Sequence, residues 1–364
     1  VDMICSGDKD TCILEPTGTN LSGIRFNSPP IGETLELTRL KINGANGTPL
    51  DQCFWYSDST GLYTVNSTDN TCAEADVYMH RIVANEMTLN SLRDTFTTST
   101  AVSPRSFVAT IGTWAEGGVS INAANVDIDR YNDSATPIVN ILATDAGETG
   151  SVVDSTFNVA NDPTTLTGYI DVIRFTAIPS AVATGNAINV TGANVGSAVG
   201  PTCDASTSCR HVRAIKSYSA SALDSDYPNL SDNTITLETA NGVAISVGND
   251  SSSAGDTYTE YGTASRNIIT CVNTGTSTHG VGLFWSQGGR AFSNWVKGCG
   301  IGLLSKGQPT AGGTFASNIL IDIAESYMYA KGSTAPKFVN NTLSVSNSQG
   351  TPVVIGIDGI IDST

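Results

Sequence analysis

Four asparagines, Asn267, Asn294, Asn318 and Asn341, each stand at the head of a short row of alternating apolar residues. The rows are "RNIITCVNTGTSTHGVGLFWSQGG", "SNWVKGCGIGLLSKGQPTAGGTFA", "SNILIDIAESYMYAKGSTAPKFV" and "NNTLSVSNSQGTPVVIGIDG", and the asparagines are spaced by 27, 24 and 23 residues. Behind each Asn runs a short strand-like piece, and after a turn rich in Gly or Ser comes a second one ("GVGLF", "GIGLL", "SYMYA", "PVVIGI"). Period-2 patterning in pieces this short, broken by Gly and Asn, signals strands and not helices. A unit of about 24 residues cannot close a core alone and must stack on its neighbours. Leucine-rich repeats share the period but need an L-x-x-L-x-L frame that is absent, and a propeller blade needs four strands and a longer period. What remains is an all-β parallel solenoid with about 22–28 residues per coil.

These rows resemble the right-handed parallel β-helix of pectate-lyase-like proteins, in particular their N-x-I…G-x-G-I/V-x-L coils. The resemblance is strongest over residues 230–364. Looser rows precede it, such as "SFVATIGTWAEGGVSINAANVDIDRYND" and "TPIVNILATDAGETGSVVDSTFNVAND". The expected organisation is an N-terminal cap with the first irregular coils over residues 1–100, then the parallel β-helix over 101–364. Fifteen or so coils would make a rod roughly 70 Å long. One segment, "NEMTLNSLRDTF" at 85–96, is expected to form a short helix between coils or within the cap.

Charged residues make up 14% of the 364, well below the roughly 25% usual in soluble proteins. With 40% apolar residues the chain is nevertheless not of disordered composition. A net charge of −16 argues against nucleic acid and anionic membrane surfaces as partners. No run reaches the roughly 20 apolar residues of a membrane span. A first residue of Val suggests a mature chain freed of a signal peptide. The 8 cysteines fall into four sequence-adjacent pairs, Cys5 with Cys12, Cys53 with Cys72, Cys203 with Cys209 and Cys271 with Cys299. No C-x-x-C occurs, and with only 3 His a Cys/His zinc site is disfavoured, so disulfides in an extracellular, oxidising setting are expected. Equivalent positions on successive coils lie about 4.8 Å apart, inside the Cα separation a disulfide needs. Allowing one residue of slippage at Gly298, Cys271 and Cys299 would clip neighbouring coils. Cys203–Cys209 would close a tight loop, and Cys53–Cys72 would tie a longer excursion.

Many proteins of the fold these rows resemble cut acidic polysaccharides, which makes catalytic motifs the first thing to expect. The N-T-D, D-D, G-H-G and R-I-K motifs of polygalacturonase-type hydrolases are absent, as are the W-x-D-H and R-x-P-x-x-R motifs of pectate lyases. The densest basic cluster is "CRHVRAIKSYS", where Arg213, His211, Lys216 and Tyr218 supply the cation and base that a uronate lyase uses to neutralise a carboxylate and remove a proton. The competing reading is a basic strand balanced by acids such as Asp224 and Asp226. Asp127 and Asp129 in "NVDIDRYND" would point outward together, about 7 Å apart, as an inverting glycosidase pair or, with Asp133, a weak Ca²⁺ contact. The competing reading there is a solvated acidic face. Trp285, Trp295, Tyr327 and Tyr329, with Phe284, would form a sugar-stacking strip if they shared one exposed face, or else plug the interior.

The expected function is therefore a secreted, non-catalytic structural or adhesive β-helix: a surface adhesin, an appendage or a filament subunit. It needs no cofactor and partners itself end to end or a cell-surface polysaccharide. The alternatives are a polysaccharide lyase or glycoside hydrolase, with Ca²⁺ as its candidate cofactor, and a carbohydrate-binding module.

Overall fold

A computed structural model of the chain describes residues 3–4, 13–14, 22–27, 32–43, 50–57, 62–73, 75–83, 86–98, 106–110, 116–131, 137–142, 148–161, 170–191, 212–218, 227–238, 242–248, 262–272, 281–285, 289–306, 313–331, 336–345 and 353–358. These residues form three parallel sheets of 12 strands each and no helix. The chain visits the first, second and third sheets in turn, so each circuit is one coil and adds one strand to every sheet. Connections between parallel strands turn right-handed, and the architecture is a right-handed parallel β-helix. Among the described residues the coils number 12 and not the expected fifteen, a stack about 55 Å long.

The period is also wider than expected towards the N-terminus. Successive asparagines at one position, from Asn186 to Asn341, are 47, 34, 27, 24 and 23 residues apart. Strands on either side of residue 100 pair within the same ladders: Glu86–Leu92 with Glu116–Asn122, and Thr95–Thr98 with Asn125–Tyr131.

The helix expected over 85–96 is not formed. Glu86–Leu92 and Thr95–Thr98 are strands whose buried residues alternate, with Met87, Leu89 and Ser91 facing inward on the first and Phe96 on the second. Glu, Met, Leu and Arg favour helices only weakly. Here the period-2 burial and pairing to Tyr63–Thr68 and Glu116–Asn122 on both sides override that preference.

Between the first and second sheets the chain turns in two residues. The first takes a left-handed conformation, as at Asp232 (φ 60), Arg266 (φ 55), Ser293 (φ 56), Ser317 (φ 55) and Asn340 (φ 51). The second is the row-heading asparagine, which this bend aims into the interior. Asn233, Asn267, Asn294 and Asn318 are all essentially inaccessible to solvent. Each makes the same set of bonds. The Asn294 side-chain amide donates to Oδ1 of Asn318 (2.9 Å) and back to the Ala264 carbonyl (3.0 Å). Its own Oδ1 accepts from the backbone N–H (3.0 Å) and the side-chain amide (2.8 Å) of Asn267. The ladder thus satisfies backbone groups that a tight buried turn would otherwise orphan. Upstream the same position is filled by Leu40, Asn70, Asp94, Ala124 and Ser155. Asn70 Oδ1 accepts from the Leu40 N–H, Asp94 Oδ1 from Asn70, Ser155 Oγ from Ala124 and Asn186 Oδ1 from Ser155.

Two disulfides staple the stack. Cys271 and Cys299 join successive coils with Cα atoms 4.8 Å apart, and the slippage falls at Gly298, which has φ 71. Cys53 and Cys72 are also bonded, with Cα atoms 6.1 Å apart. This bridge does not tie a surface excursion. It runs through the interior from a third-sheet strand, Leu50–Ser57, to a second-sheet strand, Thr71–Ala73, and both sulfurs' residues are fully buried. Cys5, Cys12, Cys203 and Cys209 lie outside the described residues.

Candidate functional site

The third sheet positions the basic cluster. On the strand Val212–Tyr218, Ala214, Ile215 and Ser217 are buried, the two apolar ones within the main core. Val212 joins them in the core, and Arg213 and Lys216 lie on the outer face. Arg213 is in register with Asp171 and Lys216 with Arg174 on the preceding coil. Both strands carry their charges three residues apart, as Asp171-Val-Ile-Arg174 and Arg213-Ala-Ile-Lys216, so register brings four charged groups together.

The geometry is tight. Arg213 pairs with Asp171 through two hydrogen bonds, Nε to Oδ1 and Nη2 to Oδ2, the latter 3.1 Å. The two residues are only 4% and 3% exposed, so this is a desolvated pair in a fork geometry. Arg174 reaches the same carboxylate at 3.9 Å and donates to the Tyr218 hydroxyl. The Tyr218 ring lies under two cations, with Lys216 Nζ 4.7 Å and Arg174 Cζ 5.2 Å from its centroid. Lys216 is 6% exposed. The structure therefore assembles Arg213, Lys216 and Tyr218 and adds Asp171 and Arg174, which sequence reasoning missed. The acids near in sequence, Asp224 and Asp226, lie outside the described residues, whereas Asp171 stands 42 residues upstream. His211 also lies outside them.

Beyond this cluster the outer face of the third sheet becomes apolar. Val243 and Ile301 are buried there, away from the main core, with Leu304 and Tyr329 packed against them. Of the aromatic candidates, Tyr329 belongs to this outer patch. Tyr327 instead plugs the interior, 1% exposed, its hydroxyl donating to the Ser344 carbonyl (3.0 Å). Trp295 is on the second sheet, between Ile268 and Ile319 in register. Trp285 lies on the strand Val281–Trp285, in register with Val247 and Ser305. Tyr327, Tyr329 and Trp295 do not share one face. Asp127 and Asp129 do point outward, on Asn125–Tyr131, alternating with buried Val126 and Ile128. Asp127 is flanked in register by Thr97 and Asn158, and Asp133 lies outside the described residues. No group of three or more His, Cys, Asp or Glu with metal-binding geometry occurs among the described residues.

A second titratable group, unmarked in the sequence, sits in the interior. His80 Nδ1 is 3.1 Å from the Tyr56 hydroxyl, and its Nε2 is 3.4 Å from Asp94 Oδ2. Asp94 also accepts from Ser91 Oγ (2.7 Å) and the Asn70 N–H (2.8 Å). The imidazole is stacked on Phe54 and Tyr56 and met edge-on by Phe107. Burial pushes the Tyr56 phenol well above its usual range, helped by Tyr63 and Asp94. All three members are sealed from solvent, so this trio holds coils together and reaches no substrate.

No helix among the described residues is long and apolar enough to cross a membrane. No protein-family model matches the chain, and no curated protein or solved structure matches it at a significant level.

Proposed function

We propose that the chain is a non-catalytic structural or adhesive β-helix protein of the extracellular space: a surface adhesin, appendage or filament component whose likeness to pectate-lyase-like proteins is one of coil pattern. The observation that carries this reading is the state of the basic cluster. A lyase needs a cation and a base that meet the substrate. Here Arg213 is held by Asp171 in a pair almost devoid of solvent contact, Tyr218 is bonded to Arg174, and Lys216 is buried beside them. These groups bind adjacent coils to one another. The two disulfides suit an oxidising compartment.

The lyase remains the second reading, because register does gather Arg174, Arg213, Lys216 and Tyr218 on one outer face. The two are separated by incubating the protein with polygalacturonate, alginate and chondroitin, with and without Ca²⁺, while following unsaturated products and reducing ends. No turnover is expected. Product formation that disappears in Lys216→Ala would sink the structural reading.

A further inference from the structure

At the N-terminal end of the third sheet, Arg25, Trp55 and Arg81 occupy one register line on three successive coils. The Arg25 guanidinium carbon lies 3.8 Å from the Trp55 ring centroid, and that of Arg81 lies 4.8 Å from it. One cation comes from the coil before the indole and one from the coil after, so a single ring separates two like charges. Arg81 also lies 5.7 Å from the Tyr78 ring and donates through Nη1 to Gln52 Oε1 (3.1 Å). Arg25 is exposed. Among the described residues neither guanidinium is ion-paired with a carboxylate, in a chain whose net charge is −16.

We propose that Arg25 and Arg81, spaced by Trp55, form a binding site for an acidic glycan, a polysaccharide whose sugars carry carboxylate or sulfate groups. The site deepens the adhesive reading by assigning its ligand class. Stacking on the indole occupies only the flat face of a guanidinium, so exposed Arg25 keeps its in-plane N–H donors for a carboxylate or sulfate in a two-point fork, while Arg81, with Nη1 on Gln52 and Nε buried, adds its positive charge beside it. Stacking also fixes both side chains before binding, which lowers the ordering cost. Two cations held against one ring repel each other, and a ligand bearing successive acidic groups relieves that repulsion. Half-buried Tyr78, beside Arg81, offers an aromatic surface for a sugar ring. The acidity of the rest of the molecule disfavours nucleic acid, whose dense charge would be repelled beyond the site.

The test is calorimetric titration of the full chain with oligogalacturonate and, separately, with a heparin oligosaccharide. Variants are Arg25→Gln, Arg81→Gln and, as a control, Arg266→Gln, whose arginine is on an exposed turn paired with Asp232. The site predicts saturable binding of at least one glycan, weakened tenfold or more by Arg25→Gln or Arg81→Gln and unchanged by Arg266→Gln. Whichever glycan binds identifies carboxylate or sulfate as the recognised group. Because Arg25 is exposed, Arg25→Gln tests the site without threatening the fold. Absence of binding, undiminished affinity in Arg25→Gln, or tighter binding of polyglutamate than of either glycan would overturn the assignment. Reducing ends are measured in the same samples. Cleavage with binding retained upholds the site and overturns the non-catalytic reading, whereas neither binding nor cleavage overturns the site alone.

Discussion

Tyr63 carries a buried hydroxyl with no hydrogen-bond partner among the described residues. Such a group costs about 1–3 kcal/mol to bury, so Tyr63→Phe is expected to raise stability by about 1 kcal/mol in urea unfolding at neutral pH. The same residue controls alkaline behaviour. Burial raises the Tyr63 and Tyr56 phenols above their ordinary value of 10.0. The folded state keeps these protons where the unfolded chain has lost them, so stability is intact below about pH 10 and falls as pH climbs past it. Tyr63→Phe removes one of these groups and should make the decline shallower between about pH 9 and 12. Neither phenol could be singled out from sequence, because alternation places Tyr63 in the core without saying which polar atoms share it. The Arg213–Asp171 pair was half legible. The basic run is plain in "CRHVRAIKSYS", but its partner becomes visible only when "DVIR" and "RAIK" are set side by side in register.

Within the coil, the turn between the first and second sheets carries most of the specificity. Asn294→Ala removes two donors and an acceptor from a dry site, leaving the Ala264 carbonyl and the Asn267 backbone N–H without their side-chain partner. The expected loss is roughly 2–4 kcal/mol in denaturant unfolding. Asn294→Asp should fare no better, since a carboxylate would face Asn318 Oδ1 and the Ala264 carbonyl with no donor to offer. One position before the ladder, Ala123 has φ 53 without a side-chain bond that would favour it. Ala123→Gly is expected to raise stability by about 1 kcal/mol, read as a higher urea midpoint. From Asn267 to Asn341 this element is written openly in the sequence. Further upstream the same site holds Ser155, Ala124 and Asp94, so the recurring letter vanishes while the geometry persists. The segment 85–96 misled for a related reason. Its composition suits a helix, and only the flanking strands impose the alternation that its Met87, Leu89 and Phe96 follow.

Taken as a whole, the molecule is a column whose successive coils are joined by ladders, stacked side chains and, among the described residues, two covalent clips. Removing the Cys271–Cys299 bridge by paired substitution to Ser frees a sequence separation of 28 residues, and an entropic loss of about 3 kcal/mol is expected in chemical unfolding under oxidising conditions. The solenoid was legible because its C-terminal coils are short and regular. The number of coils was not, because intervals of 47 and 34 residues hide a single circuit each. The central functional claim is that the charged cluster on the third sheet serves cohesion and not chemistry. Paired urea unfolding of the wild type and Arg213→Gln tests it most directly. Leaving Asp171 buried without its fork should cost about 3 kcal/mol or more. An unchanged unfolding midpoint would contradict the account, because it would show that the column stands without the pair.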